Sequence, residues 1–360
     1  MTGLDRQKAF TGTKPVAEAL QFDEARLAAW LEENVPGFEG PLEARQFKGG
    51  QSNPTYEVRA RSGNYVLRRK PPGKLLPSAH AVDREYRVMK ALGGVGFPVP
   101  KVHVLCEDDS VAGTMFFLMD KVEGRILWEP DLPDCAADER GAIYRAMNGT
   151  LAQLHSYDPA ALGLGDFGKP ENYVGRQVAR WSKQYVASET EKVDQMDRLM
   201  AWLPENLPPE PPARLVHGDF RLDNMILAAD APEVLAVLDW ELSTLGDPIA
   251  DFTYHCMKWN MPASTRGAGT GTLIDADLDA LGLPTMDEYI GWYEVATGYE
   301  VRPYLDFYTA YNFFRLAAIL QGIVGRVRDG TAANENAAKM AQLVLPLAET
   351  AWSFARKAGA

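Results

Sequence analysis

Three oxygen-bearing side chains lie close together in the sequence, at a spacing that suits a hard metal ion. Asp219, Asn224 and Asp239 flank two apolar runs, Met225–Ala228 and Val234–Leu238. Runs of this length, joined by a turn that contains Pro and Asp, predict a β-hairpin. Antiparallel pairing would bring Asn224 and Asp239 together at the open end of the hairpin. These oxygen ligands suit a hard cation, and Asp219, on the loop before the first strand, adds a further carboxylate.

The N-terminal part of the chain offers groups that could hold phosphates. The segment Ala44–Arg59 predicts strand–loop–strand, with a tip of small residues: Gly49, Gly50, Gln51, Ser52 and Asn53. Backbone N–H groups of such a tip could bind phosphate, although the turn taken alone favours a plain hairpin connection. The predicted strand Asn64–Lys70 ends in cations, and the predicted helix Asp83–Leu92 carries Glu85 near its start. A strand-end cation could pair with Glu85, but a solvated face is the more usual outcome.

The order of the predicted elements indicates an α+β fold with two parts. Two further strands, Phe97–Val104 and Thr114–Met119, extend the N-terminal sheet to about five strands with one helix inserted. After a polar connector the pattern is almost entirely helical. We therefore expect an N-terminal lobe at residues 1–120, with an antiparallel sheet and one main helix. We expect a larger, mostly helical C-terminal lobe at residues 121–360, which contains the hairpin.

Composition excludes several classes of function. The chain has 360 residues, 46% of them apolar, and a net charge of −12, so no charge pattern favours nucleic acid or an anionic membrane as a partner. Its three cysteines show no CxxC spacing, which argues against a disulfide framework or a zinc site. The start of the sequence has no apolar run behind basic residues, so we expect no signal peptide. No run of apolar residues is long enough to predict a membrane span. We expect a cytoplasmic protein, and the sequence leaves its oligomeric state open.

Three motifs resemble those of the aminoglycoside phosphotransferase family, a branch of the protein-kinase-like fold. They are HGDFRLDN, VLDWE and GDPIAD, at residues 217–224, 237–241 and 246–251. The spacing from Asp219 to Asn224, followed by a strand-end Asp239, is the kinase arrangement of catalytic loop and metal ligand. The resemblance spans roughly Phe47 to Arg328. The segments YVLRRKPPG, REYRVMKAL and FFRLAAILQGIVGR are most similar to the group found in bacterial proteins and in the kinase-like portion of some acyl-CoA dehydrogenase fusion proteins.

The resemblance implies a bilobal protein-kinase-like fold and a role for each site residue. Asp219 matches the catalytic base, and Asn224 and Asp239 match ligands of Mg²⁺. Arg68 matches the cation that holds the phosphates of ATP, paired with Glu85, and an Arg can do this bidentately. Arg69 and Lys70 remain alternatives for that cation. The resemblance also implies phosphate contacts from the Gly49–Asn53 turn, structural roles for Asp247 and Asp251, and an adenine-lining hinge at Met119, Lys121 and Val122.

These roles imply an ATP- and Mg²⁺-dependent phosphotransferase that acts on a hydroxyl of a small molecule. The resemblance suggests a hydroxyacyl-CoA acceptor, whose CoA phosphates could meet a cationic helix face formed by Arg176, Arg180 and Lys183. An aminoglycoside or amino-alcohol kinase is the alternative, and it would need converging acidic groups among Asp131, Asp134, Asp138, Glu288 and Glu294. A third hypothesis is a nucleotide-binding pseudokinase regulator. A typical activation segment ending in APE is absent, which argues against protein substrates.

Overall fold

The computed structural model describes residues 12–48, 53–73, 80–266, 271–330 and 337–360. The described strands are β1 (Thr13–Lys14), β2 (Glu43–Phe47), β3 (Thr55–Ala60), β4 (Gly63–Arg69), β5 (Val102–Cys106), β6 (Phe116–Asp120), β7 (Arg214–Val216), β8 (Met225–Leu227), β9 (Val234–Val237) and β10 (Thr244–Gly246). The described α-helices are α1 (Glu24–Asn34), α2 (Val82–Gly93), α3 (Asp109–Ala112), α4 (Ala137–Ser156), α5 (Tyr173–Ser188), α6 (Asp194–Trp202), α7 (Pro248–His255), α8 (Leu278–Leu281), α9 (Met286–Thr297), α10 (Leu305–Arg328) and α11 (Ala337–Lys357).

Packing divides the chain into two units. The first contains Met1–Ile126 and Asp223–Ser243, and the second contains Leu127–Leu222 and Thr244–Ala360. We expected a division at residues 120 and 121, with the hairpin in the C-terminal lobe. The β8–β9 hairpin instead groups by packing with the first unit, because it bonds to chain segments of that unit.

The sheet of the first unit uses its two faces differently. Within the described residues the strand order is β1-β2-β3-β4-β6-β5, and every pair is antiparallel. Tyr56, Leu67 and Leu118 lie opposite one another and are fully buried in a core that includes residues of α1. Since successive side chains of a strand point to opposite faces, Arg68 lies on the other face, opposite Phe117.

One predicted strand begins five residues later than we expected. The prediction for β5 was Phe97–Val104, whereas the strand runs from Val102 to Cys106. That prediction was wrong because Pro98 and Pro100 carry no backbone N–H to donate to a ladder. The carbonyl of Pro98 instead accepts a hydrogen bond of 2.9 Å from the backbone N–H of Val237, on β9.

The connector after β6 also bonds to the hairpin. Arg125 and Leu227 exchange backbone hydrogen bonds of 2.9 Å in each direction. Gly124 permits this approach, since a Cβ at that position would overlap the carbonyl oxygen of Leu227. Within the hairpin Met225 lies opposite Val237, and the backbone N–H of Leu238 donates to the carbonyl of Asn224 at 2.8 Å. Asn224 and Asp239 therefore flank the same end of the hairpin, as the sequence predicted.

The second unit is built mainly from helices. Its described strands β7 and β10 pair with each other, Leu215 opposite Leu245. Helix α10 packs against α11, α5 and α7, and its buried residues include the aromatic residues Phe307, Tyr308, Tyr311, Phe313 and Phe314. Among the described helices, none combines the length and the apolar character needed to cross a membrane.

Candidate functional site

A cluster of charges forms on the face of the first unit's sheet that carries Arg68. The guanidinium Nε of Arg68 lies 2.8 Å from Oε2 of Glu85 on α2, an ion pair whose N–H direction is not aligned for a hydrogen bond. A terminal nitrogen of Arg68 donates to Oδ1 of Asp239 at 2.7 Å and lies 3.6 Å from Oε2 of Glu241. The structure thus brings three of the predicted site residues together around one guanidinium.

Burial and the neighbouring charges together determine the ionisation of Arg68 and Glu85. The side chain of Arg68 is 12% exposed and that of Glu85 is 2% exposed. Burial raises the pKa of Glu85 to about 7, although the positive charge of Arg68 acts in the opposite direction. Burial also acts to lower the pKa of Arg68, but Glu85, Asp239 and Glu241 outweigh it and raise that pKa. Arg68 therefore stays charged, whereas Glu85 titrates near neutral pH.

Asn53 holds the other oxygen of Glu85. Its side-chain amide is fully buried and donates to Oε1 of Glu85 at 2.9 Å. The amide oxygen of Asn53 lies 3.0 Å from Nδ1 of His80, so the ring nitrogen donates there. Its side-chain amide is thus bonded to protein groups on both sides. The other members of the predicted phosphate-binding turn, Gly49, Gly50, Gln51 and Ser52, lie outside the described residues.

The two cations that follow Arg68 in the sequence lie elsewhere. Arg69 is buried on the core face, where it donates to the hydroxyl of Tyr56 at 2.9 Å and packs on the ring of Phe22. Lys70 lies 3.5 Å from Asp83 in a partly exposed ion pair. Strand alternation places Arg69 on the face opposite Arg68, and Lys70 follows the end of β4. Among the three cations, Arg68 is the one paired with Glu85.

The open end of the hairpin carries one carboxylate residue, Asp239, and one amide residue, Asn224. Asp239 has a left-handed backbone, φ 63° and ψ 60°, which Asp tolerates better than most residues. Its carboxylate is about one-third exposed, and Asn224 flanks the same hairpin end. One carboxylate with one amide oxygen fits Mg²⁺, which usually completes its shell with water and phosphate oxygens. No group of three His, Cys, Asp or Glu side chains placed to hold a metal ion occurs in the described part of the chain.

The predicted hinge residues lie near the end of β6, at Met119, and just after that end, at Lys121 and Val122. Met119 lies opposite Val66 on the same sheet face as Arg68. The ammonium group of Lys121 lies 2.9 Å from Glu57 and 2.7 Å from Glu123. Lys121 therefore ties the hinge to β3, and Val122 beside it is partly buried.

In the second unit, the loop that contains Asp219 is held by hydrogen bonds that its backbone N–H groups donate. The carboxylate of Asp251, on α7, accepts hydrogen bonds from the N–H groups of His217 at 2.8 Å and of Gly218 at 2.9 Å. It also accepts one from Nε2 of His155 at 3.3 Å. Burial acts to raise the pKa of Asp251, but these hydrogen bonds and the two histidines outweigh it, so the pKa is lowered.

Helix α7 contacts the same loop at successive positions. The hydroxyl of Tyr254 donates to Oδ1 of Asp219 at 2.8 Å. The next residue, His255, donates from Nδ1 to the carbonyl of Phe220 at 2.9 Å. Burial, and then the nearby Lys258, lower the pKa of His255 well below its usual value, so the ring stays neutral. Asp251, Tyr254 and His255 lie on one helix face, because residues three and four apart are neighbours on a helix.

Two further groups complete the support of this loop. Arg315, buried on α10, donates to the carbonyl of Gly218 at 2.9 Å and packs on the ring of Tyr254 at 5.0 Å. Asp247 caps α7 by accepting from the N–H groups of Ile249 and Ala250, and it also accepts from the hydroxyl of Tyr308 at 2.6 Å. Asp247 and Asp251 thus make the structural contacts that the sequence predicted for them.

Sequence reasoning missed Tyr254, Arg315, His80 and Glu241. Tyr254 lies three residues after Asp251 of the GDPIAD motif, and this helical spacing was a usable signal. Glu241 follows Asp239 by two residues within VLDWE, which was also visible in the sequence. Arg315 is separated from Gly218 by 97 positions, and no local pattern could have linked the two.

The residues proposed to select an acceptor are distributed over the second unit. Arg180 and Lys183 are exposed on α5, and Arg176, on the same face, donates to the carbonyl of Lys169. Among the acidic candidates, Asp138 and Glu288 line a groove of about 980 Å³ formed by α4, α8 and α9. Glu294 instead pairs with Arg302, and Asp131 and Asp134 do not line this groove.

Comparison with known proteins identifies relatives along almost the whole chain. Residues 43–292 match the model of the phosphotransferase enzyme family, APH. Acyl-CoA dehydrogenase family member 10 of Mus musculus is 46% identical over 363 residues, which cover 100% of this chain and 34% of that protein. The chain therefore spans about a third of that relative's length.

Solved structures agree with the family match. A presumed aminoglycoside phosphotransferase from Ralstonia eutropha JMP134 is 47% identical, with a TM-score of 0.85 over 94% of this chain and 99% of that one. A spectinomycin phosphotransferase in complex with ADP and spectinomycin is 11% identical, with a TM-score of 0.59 over 92% and 98% of the two chains. The latter likeness concerns the fold alone.

These matches confirm three expectations from the sequence: the family resemblance, the α+β protein-kinase-like fold and the enzyme class. The chain belongs to the phosphotransferase enzyme family, APH.

Proposed function

We propose that the protein transfers the γ-phosphoryl group of ATP, with Mg²⁺, to a hydroxyl of a small molecule. The observation that carries the proposal is the Arg68 cluster, in which a buried guanidinium meets both Glu85 and Asp239. Phosphoryl transfer depends mainly on positioning and charge stabilisation, and this cluster supplies a fixed cation beside a candidate metal ligand. The ADP bound to the spectinomycin phosphotransferase of the same fold supports nucleotide use.

On the nucleotide side, each group has a separate task. Arg68 would hold phosphate oxygens, and Glu85 would keep its guanidinium in place. Asn224 and Asp239 would hold Mg²⁺, which when bound neutralises charge that develops on the transferring phosphoryl group. Met119, Lys121 and Val122 would line the adenine site. The roles of Gly49, Gly50, Gln51, Ser52 and Asn53 toward phosphate rest on their position in the family pattern, and for Asn53 a contribution through Glu85 fits its contacts better.

On the acceptor side, Asp219 would orient the hydroxyl and accept its proton. The loop contacts of Asp251 and Tyr254 support this role, because a general base must be held in a defined position. Asp219 precedes Asn224 by only five residues, so the chain keeps the base close in sequence to the metal ligands.

For the acceptor we propose a hydroxyacyl-CoA. The matched relative of Mus musculus is named as an acyl-CoA dehydrogenase family member, and in that protein the region similar to this chain accompanies a longer sequence. The exposed side chains of Arg180 and Lys183 on α5 offer cations for the phosphates of CoA. Charge-assisted contacts of this kind are strong when the partner is a phosphate.

An amino-alcohol or aminoglycoside acceptor is the second candidate. The observation that favours it is the groove lined by Asp138, Asp279 and Glu288, since carboxylates suit a cationic ligand. The same groove also contains Arg145, whose guanidinium packs on the ring of Trp292 at 3.9 Å, so its lining is not purely acidic.

The test is product formation with a panel of acceptors. We would incubate the protein with MgATP and 4-hydroxyacyl-CoA, choline, ethanolamine or aminoglycosides, and detect a new phosphate ester by ³¹P NMR. We expect a phosphorylated hydroxyacyl-CoA, and we expect Asp219→Asn to abolish its formation. If only an amino-alcohol or an aminoglycoside became phosphorylated, that compound would replace hydroxyacyl-CoA as the proposed acceptor. Thermal stabilisation by MgATP without any turnover would instead indicate a pseudokinase regulator.

A further inference from the structure

The side chain of Asp219 has a hydrogen-bond donor from a helix that lies far from it in sequence. Tyr254, 35 residues away on α7, donates to Oδ1 of Asp219 at 2.8 Å. Burial and the charge of Asp219 raise the pKa of the Tyr254 phenol, so the hydroxyl keeps its proton and remains a donor. One oxygen of Asp219 is therefore fixed by an uncharged group.

The ring of Tyr254 is held independently of its hydroxyl. The guanidinium of Arg315 packs on this ring at 5.0 Å and donates to the carbonyl of Gly218 at 2.9 Å. The same Arg315 thus contacts both the backbone before Asp219 and the ring that binds its carboxylate. A contact of this type depends on the ring face, and a Phe ring would preserve it.

The backbone of Asp219 is fixed by other groups. Its N–H donates to Nδ1 of His217 at 3.2 Å, and the two preceding N–H groups donate to Asp251. These bonds set where the Cα of Asp219 lies, but they do not set the rotation of its carboxylate. The hydrogen bond from the Tyr254 hydroxyl restrains this rotation directly.

We propose that Tyr254 is a positioning residue, which rotates the carboxylate of Asp219 into the orientation needed to accept a proton, with Arg315 holding the Tyr254 ring. This inference rests on the proposed role of Asp219 as the base. This hydrogen bond acts on proton acceptance by Asp219 rather than on nucleotide binding.

The test compares Tyr254→Phe with the unsubstituted chain of 360 residues. Hydrolysis of [γ-³²P]ATP in the presence of Mg²⁺ measures turnover with water as the acceptor, so no assumption about the natural substrate is needed. We expect kcat to fall by about 10- to 100-fold, the range for loss of a hydrogen bond to a charged group. The KM for ATP and the melting temperature should stay unchanged, because the ring and its contact with Arg315 remain. Tyr157→Phe, which removes a surface hydroxyl bonded to Gln153, is the matched control and should leave kcat unchanged.

A double substitution separates this inference from the proposed function. In an Asp219→Asn background, Tyr254→Phe should cause no further loss, because its effect passes through the carboxylate. Unchanged kcat in Tyr254→Phe, or an equal loss in both backgrounds, would overturn the positioning role. If Asp219→Asn itself retained full turnover, the proposed base would fail, whatever the behaviour of Tyr254.

Discussion

The two units hold their candidate catalytic groups by different kinds of interaction. In the first unit, Arg68 is held by opposite charges, from Glu85 at 2.8 Å and Asp239 at 2.7 Å. These partners come from a helix and from a hairpin end that lies 171 positions away from Arg68. In the second unit, the loop around Asp219 is held mainly by helix α7. Asp251 of that helix accepts hydrogen bonds from backbone N–H groups of the loop, and His255 donates one to a backbone carbonyl.

The difference has consequences for stability and for pH. A buried ion pair gains Coulomb energy but loses the hydration of both charges, so its net contribution depends on ionisation. Hydrogen bonds between an ionised carboxylate and backbone N–H groups satisfy groups that would otherwise be buried without partners. The stability of the charge cluster should therefore change with pH near neutrality. The stability of the Asp219 loop should instead depend mainly on the Asp251 carboxylate, which accepts its backbone hydrogen bonds.

The largest effect is expected from Asp251→Ala. This change leaves the buried N–H groups of His217 and Gly218 without their acceptor, at about 1–3 kcal/mol each. We expect the free energy of unfolding to fall by about 2–6 kcal/mol, with loss of turnover, as measured by denaturant unfolding and ATP hydrolysis. Asp194→Ala, at an exposed site beside Lys192, is the control and should change stability by less than about 0.5 kcal/mol. Equal effects at the two positions would contradict the tethering role.

The second effect is a pH dependence that belongs to the first unit. The pKa of Glu85 is raised to about 7, above its ordinary value of 4.5. A group with a raised pKa contributes stability that is complete below the unfolded value and is lost as pH rises through the folded value. We expect the wild type to lose roughly 3 kcal/mol relative to Glu85→Gln between pH 4.5 and pH 8. Unfolding of both proteins across this range measures it, and parallel curves would show that Glu85 does not titrate as stated.

The third and smallest effect is on nucleotide affinity. Glu85→Gln keeps the size of the side chain but removes the charge that holds Arg68, so we expect MgADP to bind about tenfold more weakly at pH 8. Glu241→Gln is the matched control, because its oxygen lies 3.6 Å from Arg68 rather than 2.8 Å. Isothermal titration calorimetry measures both. A larger loss in Glu241→Gln than in Glu85→Gln would reverse the order of importance.

Much of the fold could be predicted where local pattern and packing agree. The hairpin ends at Asn224 and Asp239 follow from two apolar runs and a turn, and helix α9 begins at a capping box formed by Thr285 and Glu288. The start of β5 was misplaced because two prolines interrupt an otherwise apolar segment. The packing of the hairpin with the first unit depends on Gly124, Arg125 and Pro98, which no local pattern connects to it.

The candidate site was also predictable only where a local sequence pattern identifies its residues. Motif spacing selects Asp219, Asn224 and Asp239, but it cannot say on which sheet face a cation of β4 lies. That choice depends on register, and a shift of one residue would exchange Arg68 with Arg69. The contacts of His80 and Arg315 depend on side chains that meet across many positions of sequence, so only the folded chain shows them.

The division of tasks between the two regions is the central claim, and one measurement tests it most directly. MgADP affinity should be determined by calorimetry for Asp219→Asn and Asp239→Asn side by side. We predict that Asp219→Asn binds within about twofold of the wild type, while Asp239→Asn binds at least about tenfold more weakly, because only Asp239 would hold the metal ion. Normal binding by Asp239→Asn together with lost binding by Asp219→Asn would contradict this account.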